Sequence, residues 1–236
     1  MLRLQCMHDL SIGEFDSLVL KAYRGAGFSW GMAQEAGSAA AWLALRGLPA
    51  GKYFAQLIKQ IDGADSISLT PKIVHGQWQS DHRPLCPVVC GTVLSDHGWK
   101  YFAGFIGDQT DPALQLGTIH SPIIILPFLS DCSMASGNCL HVTVDQYSLV
   151  VMPNGSWSVS GDCDSKQETG FGCLSAGTIK IRSGSIIQCA SPSVCRRIDI
   201  NDTDLEILEQ YAHRTYVPAT EESRMSGAGA GLTDND

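Results

Sequence analysis

The sequence has no long apolar run, no basic run and few charged residues. The charged fraction of its 236 residues is 17%. The longest apolar run, Ile-Ile-Ile-Leu at 123–126, is far shorter than the roughly 20 residues that a membrane-spanning helix needs. The formal net charge is −8, whereas phosphate backbones are bound by positive stripes. We therefore expect neither a membrane nor a nucleic acid as a partner.

Several signals of location and chemistry are also missing. The N-terminus, Met-Leu-Arg-Leu-Gln-Cys-Met-His, lacks the apolar region and cleavage site of a signal peptide, so we expect a cytoplasmic protein. In a reducing compartment the nine cysteines should be free thiols, most of them buried as small apolar side chains. The chain contains no Walker A loop, no Gly-x-Ser-x-Gly elbow and no His-Glu-x-x-His helix. We expect no cofactor.

Helix-capping patterns predict a helical module over residues 1–65. Ser11 and Glu14 have the spacing of a capping box, ahead of a helix that ends at Arg-Gly-Ala-Gly, 24–27. Ser29 can cap a second helix over 30–46, with Gly47 as its left-handed stop, and a third helix is expected at 51–61 before an exit turn. Small residues on one face of the second helix allow another backbone to come close: Ala33, Gly37, Ala40, Ala41 and Ala44.

Between residues 66 and 200 the pattern changes to short segments of strand type. We expect strands at 66–70, 85–94, 99–106, 119–126 and 140–151. Asn154-Gly155 and Ser183-Gly184 have the composition of tight turns, which predicts hairpins of 147–152 with 156–160 and of 177–182 with 185–190. Because hairpins dominate, the sheet should be mostly antiparallel, with a surface loop at 162–172.

A last helix is expected from residue 201 to about Arg214, followed by an ordered tail. Its apolar stripe is Leu205, Leu208 and Ala212, and Pro218 ends any continuation. The predicted fold class is therefore α+β. It comprises an N-terminal helical module (1–65), a mostly antiparallel β region (66–200) and a C-terminal helix with a Gly-rich tail (201–236), which together form one compact unit.

Two segments combine arginine with glycine, and they are the leading candidates for a site. In residues 24–31, Arg-Gly-Ala-Gly-Phe-Ser-Trp-Gly, free amides at a helix start can bind an anion. The alternative is a helix–helix turn whose glycines permit positive φ. In the C-terminal segment, arginines can fork onto a carboxylate or phosphate, unless they are simply surface residues. We expect a site that joins both segments: Arg24, Trp30, Glu35, Arg214, Ser223 and Arg224.

Cysteine and histidine offer two weaker candidates. Cys86, between prolines and near His82, can act as a nucleophile if the histidine lowers its pKa, although a buried structural thiol is the simpler interpretation. Cys132, Cys139 and His141, with His82 or Cys86, can in principle make a tetrahedral metal site. Their spacing is not that of a structural zinc motif, so we expect no bound metal.

Two helical segments resemble each other. Residues 18–24, Leu-Val-Leu-Lys-Ala-Tyr-Arg, are similar to residues 208–214, Leu-Glu-Gln-Tyr-Ala-His-Arg. Each segment is followed by a turn, a capping hydroxyl and a stretch that contains glutamate. A duplicated helical hairpin explains this likeness, but ordinary amphipathic patterning explains it more simply.

The two ends of the chain together resemble an uncharacterised family that is known only as a domain of unknown function and is widespread in proteobacteria. The resemblance implies that the full length is one unit to which the tail belongs, and it implies no activity. It covers the ends well and the β region poorly. At the C-terminus it rests on Thr-Tyr-Val-Pro (215–218), Ser-Arg (223–224) and Gly-Ala-Gly-Ala-Gly-Leu (227–232). At the N-terminus it rests on Ser11-x-x-Glu14, Ala22-x-Arg24-Gly-Ala-Gly27, Trp30-Gly31, Glu35-Ala-Gly37, Ala40-x-Trp42-Leu43 and Arg46-Gly-Leu48.

Three hypotheses about function follow. The leading one is a cytoplasmic protein of small-molecule metabolism, with catalysis favoured over passive binding, that holds a small anion between the N-terminal helices and the tail. Glu35 then serves as general base or orients an arginine. The second is a non-catalytic subunit that docks a partner or a second copy through its small-residue helix face and its tail. The third is a thiol enzyme that uses Cys86 with His82.

Overall fold

The N-terminal part of the chain is helical, as predicted. A computed structural model describes residues 7–75, 77–80, 83–103, 113–160, 170–184 and 194–216. Strand β1 (Met7–Ser11) leads into α1 (Ile12–Gly25), α2 (Trp30–Leu45) and α3 (Ala50–Ile61). The capping box is confirmed, because the Glu14 amide donates to Ser11 Oγ at 3.2 Å and the Ser11 amide donates to Glu14 Oε2 at 2.8 Å. Ser29 caps α2, and Gly47 follows α2 at φ 73°.

The second half of the chain builds a mixed sheet of seven strands. Its order is β2 (Lys72–Val74), β3 (Gln77–Gln79), β4 (Leu114–His120), β8 (Ala176–Gly184), β5 (Cys139–Val144), β6 (Tyr147–Val151) and β7 (Trp157–Ser160). Neighbours are antiparallel except β3 and β4. The hairpin at Asn154-Gly155 is confirmed, with Val151 opposite Trp157. The α+β class and the mostly antiparallel sheet are therefore confirmed.

Five of the predicted strands were wrong wholly or in part, and one of them, 140–151, is divided by a turn into β5 and β6. Residues 66–70 contain the single turn α4 (Ser66–Leu69), and residues 85–94 contain α5 (Pro87–Val93). A π-helix (Leu94–Gly98) and α6 (Trp99–Ala103) continue α5. Pro87 starts α5 because a proline at the first helical position sacrifices no internal hydrogen bond. Val88 is then buried by helix packing, which outweighs its intrinsic strand preference.

The strand expected at 119–126 ends early. Ser121 takes a left-handed conformation at φ 38°, and Pro122 begins a 3₁₀ turn (Pro122–Ile125) that leads into α7 (Leu126–Ser136). The second predicted turn was also wrong, because Ser183 and Gly184 lie inside β8 and pair with β5. Residues 185–190, the expected partner strand, lie outside the described residues, as do 162–169 of the predicted loop.

A second, two-stranded sheet joins the two ends of the chain. β1 pairs antiparallel with β9 (Arg197–Asn201), which leads into the last helix, here α8 (Asp202–His213). Asp9 lies opposite Asp199, which is 190 positions later. An antiparallel pair has a local two-fold axis, and here the axis passes between these two residues. Each strand leads directly into a helix, so β1–α1 and β9–α8 share one strand–helix arrangement.

The same separation of 190 positions relates the helices. Asn201 caps α8 as Ser11 caps α1, with the Asp204 amide donating to Asn201 Oδ1 at 2.9 Å. The similar segments 18–24 and 208–214 differ by the same number. The likeness noticed in the sequence therefore has a structural counterpart in this strand–helix motif.

Glycines let α1 pack closely against both α2 and α8. A Cβ atom on Gly37 of α2 would lie 2.3 Å from Asp16 Oδ1. The predicted small-residue face of α2 is thus covered by α1 of the same chain, which removes it as a free docking surface. A Cβ atom on Gly25, at the end of α1, would lie 1.8 Å from the Tyr211 carbonyl oxygen. Only glycine fits that position without moving α8.

We expect Gly25→Ala to lower the free energy of unfolding by about 1–3 kcal/mol, because the new methyl group must displace α8. Gly31→Ala is the matched control, since a Cβ atom there meets nothing within 4 Å. Gly31 lies in the first turn of α2, and there that change should leave the stability unchanged or raise it by up to about 1 kcal/mol. Urea denaturation of both variants measures the difference, and an equal stability of the two would contradict this account of the α1–α8 packing.

Candidate functional site

The two arginines predicted for the site come from chain segments that meet. A Cβ atom on Gly25 would lie 3.3 Å from Arg214 Cβ, so the end of α1 abuts the end of α8. Arg24 and Arg214 therefore leave the backbone at neighbouring points. The sequence predicted an anion site made of arginine side chains and glycine-rich backbone from both ends of the chain. The structure brings the described parts of these ends together.

Arg24 is engaged with its own turn. Its Nη1 donates to the Phe28 carbonyl oxygen, and its guanidinium lies 4.9 Å from the centre of the Trp30 ring. The indole is exposed over 68% of its surface. The amides of Gly27 and Phe28 donate to carbonyl groups at the end of α1. The geometry thus favours the alternative in which Gly27, at φ 101°, shapes a helix–helix turn.

Arg214 is held by a carboxylate that sequence reasoning treated only as part of a turn. Its Nη1 and Nη2 donate to the two carboxylate oxygens of Asp62 at 2.7 and 3.2 Å. The Tyr211 hydroxyl donates to the same carboxylate at 3.0 Å. These hydrogen bonds, that of Arg214 first, lower the pKa of Asp62. The pair is exposed, so its contribution to stability is small, but it shows how a carboxylate is bound on α8.

An open groove of about 560 Å³ runs between α1 and α8. It is lined by the ammonium group of Lys21 and the imidazole of His213. Glu14 also lines it, but its carboxylate is already engaged with the amide and hydroxyl of Ser11. The groove borders Tyr216, the last described residue before the tail, and its lining contains none of the six residues predicted for the site. Its lining is Gly13, Glu14, Ser17, Leu18, Lys21, Glu209, Ala212, His213 and Tyr216.

A second, smaller cavity of about 160 Å³ lies beside the glycine-rich turn. Its walls are mostly apolar. Ser29 at its edge accepts a hydrogen bond from the Met32 amide at 3.3 Å. One of the amides at the start of α2 is therefore not free to bind an anion. This cavity suits an apolar group better than an anion. Its lining is Gly27, Phe28, Ser29, Met32, Ala64, Leu69, Thr70 and Val89.

Glu35 belongs to a different cluster from the arginines. Burial raises the pKa of Glu35, and the charges of Asp96 in the π-helix and Asp131 in α7 raise it further. The residue Asp131 keeps contact with solvent. Partial burial of its carboxyl group raises its pKa, and the positive charge of Arg46 lowers it. Neighbouring carboxylates with raised pKa values are typical of acid–base sites and also of packed helix junctions. Neither Arg24 nor Arg214 is among the groups that shift the pKa of Glu35.

The thiol and metal candidates are not assembled in the described residues. Cys86 is fully buried, and burial raises its pKa to about 11, so it carries a thiol rather than a thiolate at neutral pH. Its proposed partner His82 lies outside the described residues. Cys132 donates to the Leu94 carbonyl oxygen at 2.9 Å. Among the described residues, no group of three or more His, Cys, Asp or Glu side chains is arranged to hold a metal ion.

Two predicted site residues, Ser223 and Arg224, lie outside the described residues, together with the rest of the segment 217–236. Sequence reasoning missed Lys21, Asp62 and Tyr211. Lys21 and Tyr211 were visible in the two similar segments 18–24 and 208–214, where they occupy corresponding positions. Asp62 carried no such signal, because its role depends on the packing of α3 against α8.

We expect Glu35→Gln to raise the melting temperature at pH 7. A carboxyl group whose pKa is raised by folding stabilises the protein only while it is protonated, and this stabilisation is lost as the pH rises above about 4. The uncharged amide avoids the repulsion from Asp96 and Asp131, so stability should also fall less steeply between about pH 4 and 7. Thermal unfolding across this range tests the effect, with Glu206→Gln on the exposed face of α8 as the control. A lower melting temperature for Glu35→Gln at pH 7 would show that the charged form is favoured.

Comparison with known proteins gives a family match for part of the chain, and this match indicates no function. No curated protein and no solved structure matches the chain. Within the described residues, every helix is too short or too polar to cross a bilayer. One family model matches residues 10–80, which span the end of β1, the three N-terminal helices and the first strands of the larger sheet. The resemblance to a domain of unknown function is therefore confirmed over residues 10–80, which match the family described as Protein of unknown function (DUF3726).

Proposed function

We propose that this chain is a cytoplasmic protein of small-molecule metabolism that binds a small anion, a carboxylate or a phosphate, in the groove between α1 and α8. The observation that carries the proposal is the groove itself. Helices from both ends of the chain form its walls, Lys21 supplies positive charge beside the imidazole of His213, and Tyr216 lies at its rim.

The other side of the α1–α8 pair supports this proposal, because α3 lies there. Phe54 of α3 packs its ring at 5.7 Å from Tyr23 of α1, and Asp62 after α3 binds Tyr211 and Arg214 of α8. On that side, Tyr211 and Arg214 therefore bind a carboxylate of the chain itself, that of Asp62. The two-fold relation of the strands gives the counterparts of Tyr211 and Arg214 on α1.

Under the two-fold relation, the groove corresponds to the side of the α1–α8 pair that α3 occupies. The positions 190 residues before Tyr211 and Arg214 are Lys21 and Arg24. Lys21 lines the groove, and Arg24 lies one helical turn further along α1. The anionic group of a ligand would therefore take the place that Asp62 has on the opposite side. Arg24 must leave the Phe28 carbonyl oxygen to join Lys21, which it can do because a guanidinium has five donors.

The proposal that the protein is an enzyme rests on the same groove. It contains His213 and Glu209, whose side chains are of the kinds that transfer protons near neutral pH. Glu35, predicted from the sequence as the base, remains a second candidate, because burial and the charges of Asp96 and Asp131 raise its pKa.

We expect Lys21→Gln to weaken binding of a small dicarboxylate or of inorganic phosphate by about 10- to 100-fold, since a charge-assisted hydrogen bond contributes about 1.5–3 kcal/mol. Lys52→Gln is the matched control, because Lys52 is an exposed lysine on α3 away from the groove. Calorimetric titration with succinate, citrate and phosphate measures the affinities. Truncation after Arg224 should abolish binding while the fold survives.

Equal affinities of the Lys21→Gln and Lys52→Gln proteins would remove the groove as the binding site. Unchanged binding after truncation would show that the tail takes no part in it. Far-ultraviolet circular dichroism of each protein checks that the loss of binding is not a loss of folding.

A further inference from the structure

We propose that the small cavity beside the glycine-rich turn binds one uncharged aromatic ring of about the size of phenol. The cavity has a volume of about 160 Å³, and its lining shares no residue with the groove between α1 and α8. The proposal is therefore independent of the anion proposed for that groove.

Three segments of the chain meet around the cavity and leave space between them. They are the turn from α1 into α2, the segment that follows α3, and α5. Gly27 takes φ 101°, a conformation that favours glycine, and a Cβ atom there would meet nothing within 4 Å. Ala64, in the segment after α3, contributes only a methyl group to the lining. These two small residues leave room for a ligand at the turn.

The size and the chemistry of the lining favour a small neutral molecule. None of the eight lining residues, which all belong to the described part of the chain, has a charged side chain. An ion placed here would therefore lose hydration without gaining a counter-charge. Phe28 and Leu69 of the lining are buried, with 7% and 4% of their surfaces exposed. An apolar cavity of about 150 Å³ is large enough to hold benzene, so a ring with one small substituent fits.

The walls favour an aromatic ring over an aliphatic one. Phe28 makes an edge-to-face contact with Tyr23, whose ring lies 5.4 Å away at an angle of 76°. Tyr23 in turn contacts the ring of Phe54 at 5.7 Å. A bound ring can extend this series, because edge-to-face contacts between aromatic rings are attractive. Met32 adds a flexible thioether to the lining, and such a group adapts to a ligand and makes favourable contacts with ring edges.

The lining also accommodates a hydroxyl group on the ring. Ser29 Oγ accepts a hydrogen bond from the Met32 amide at 3.3 Å, and a serine hydroxyl can donate one hydrogen bond in addition. The oxygen atom of phenol can accept that hydrogen bond, and so can the oxygen atom of cyclohexanol. A comparison of these two molecules therefore isolates the effect of the aromatic ring.

Methyl NMR of the full-length chain, labelled at the methionine ε-methyl groups, tests the proposal with phenol as the probe. We expect a saturable shift of the Met32 signal, which Met32→Leu assigns, and a dissociation constant of about 1 mM or lower. Cyclohexanol should bind about 2- to 10-fold more weakly, because it lacks the edge-to-face contact. Benzoate should bind more weakly than phenol, because its charge would lose hydration in the cavity.

A variant that fills the cavity should lose the binding. We expect Ala64→Leu to weaken phenol binding by about tenfold or more, because the larger side chain takes the space of the ring. Ala135→Leu is the matched control, since Ala135 is an exposed alanine on α7 outside the lining, and it should leave the affinity unchanged. Thermal unfolding checks that both proteins are folded. If Ala64→Leu is not, Val89→Phe fills the cavity from α5 and gives the same test.

Four results would overturn the proposal. Absence of a saturable Met32 shift would show that no ring binds in the cavity. Equal affinities for phenol and cyclohexanol would show that the walls do not select an aromatic ring. Tighter binding of benzoate than of phenol would indicate an anion site at the start of α2 instead. Equal phenol affinities of the folded cavity-filling and control variants would place the bound phenol elsewhere on the protein.

Discussion

The pairing of β1 with β9 is the constraint on which the rest of the structure depends. It brings together residues about 190 positions apart, and Arg197 bridges the ribbon by donating to the Asp9 carboxylate at 2.6 Å. Each strand leads directly into a capped helix, so the register of the ribbon sets where α1 and α8 begin. A slip of one residue would turn the side chains of Ile198 and Ile200 out of the core.

The close contacts of α1 follow from that placement. Gly25 and Gly37 allow two other helices to approach α1 almost backbone to backbone. α3 then fills one side of the α1–α8 pair, and its exit turn supplies Asp62 to Arg214. The opposite side remains an open groove, because the described residues contain no second copy of α3 there. Broken symmetry between two similar strand–helix units is thus the physical origin of the candidate site.

Charges act differently in the two halves of the molecule. The ion pair of Asp62 with Arg214 is exposed, so solvent screens it and it orients side chains more than it stabilises the fold. Burial raises the pKa values of the Glu35 and Asp131 carboxyl groups, and the charge of Asp131 adds to the shift at Glu35, so folding works against their ionisation. The Glu35 cluster is therefore expected to contribute to the pH dependence of stability.

The elements whose signals are local could be predicted from the sequence. Ser11 and Ser29 were recognisable as helix caps, and Asn154-Gly155 as a hairpin turn, because each acts through bonds to residues two or three positions away. The sequence by itself could not determine whether apolar segments such as 85–94 become strands or helices, since tertiary burial decides between them. Tertiary structure was needed to show that Gly25 lies against α8 and that Asp62 binds Arg214. It was also needed to show which charges act on Glu35. These contacts join residues far apart in sequence, and their geometry depends on how α1, α3 and α8 pack around the β1–β9 ribbon.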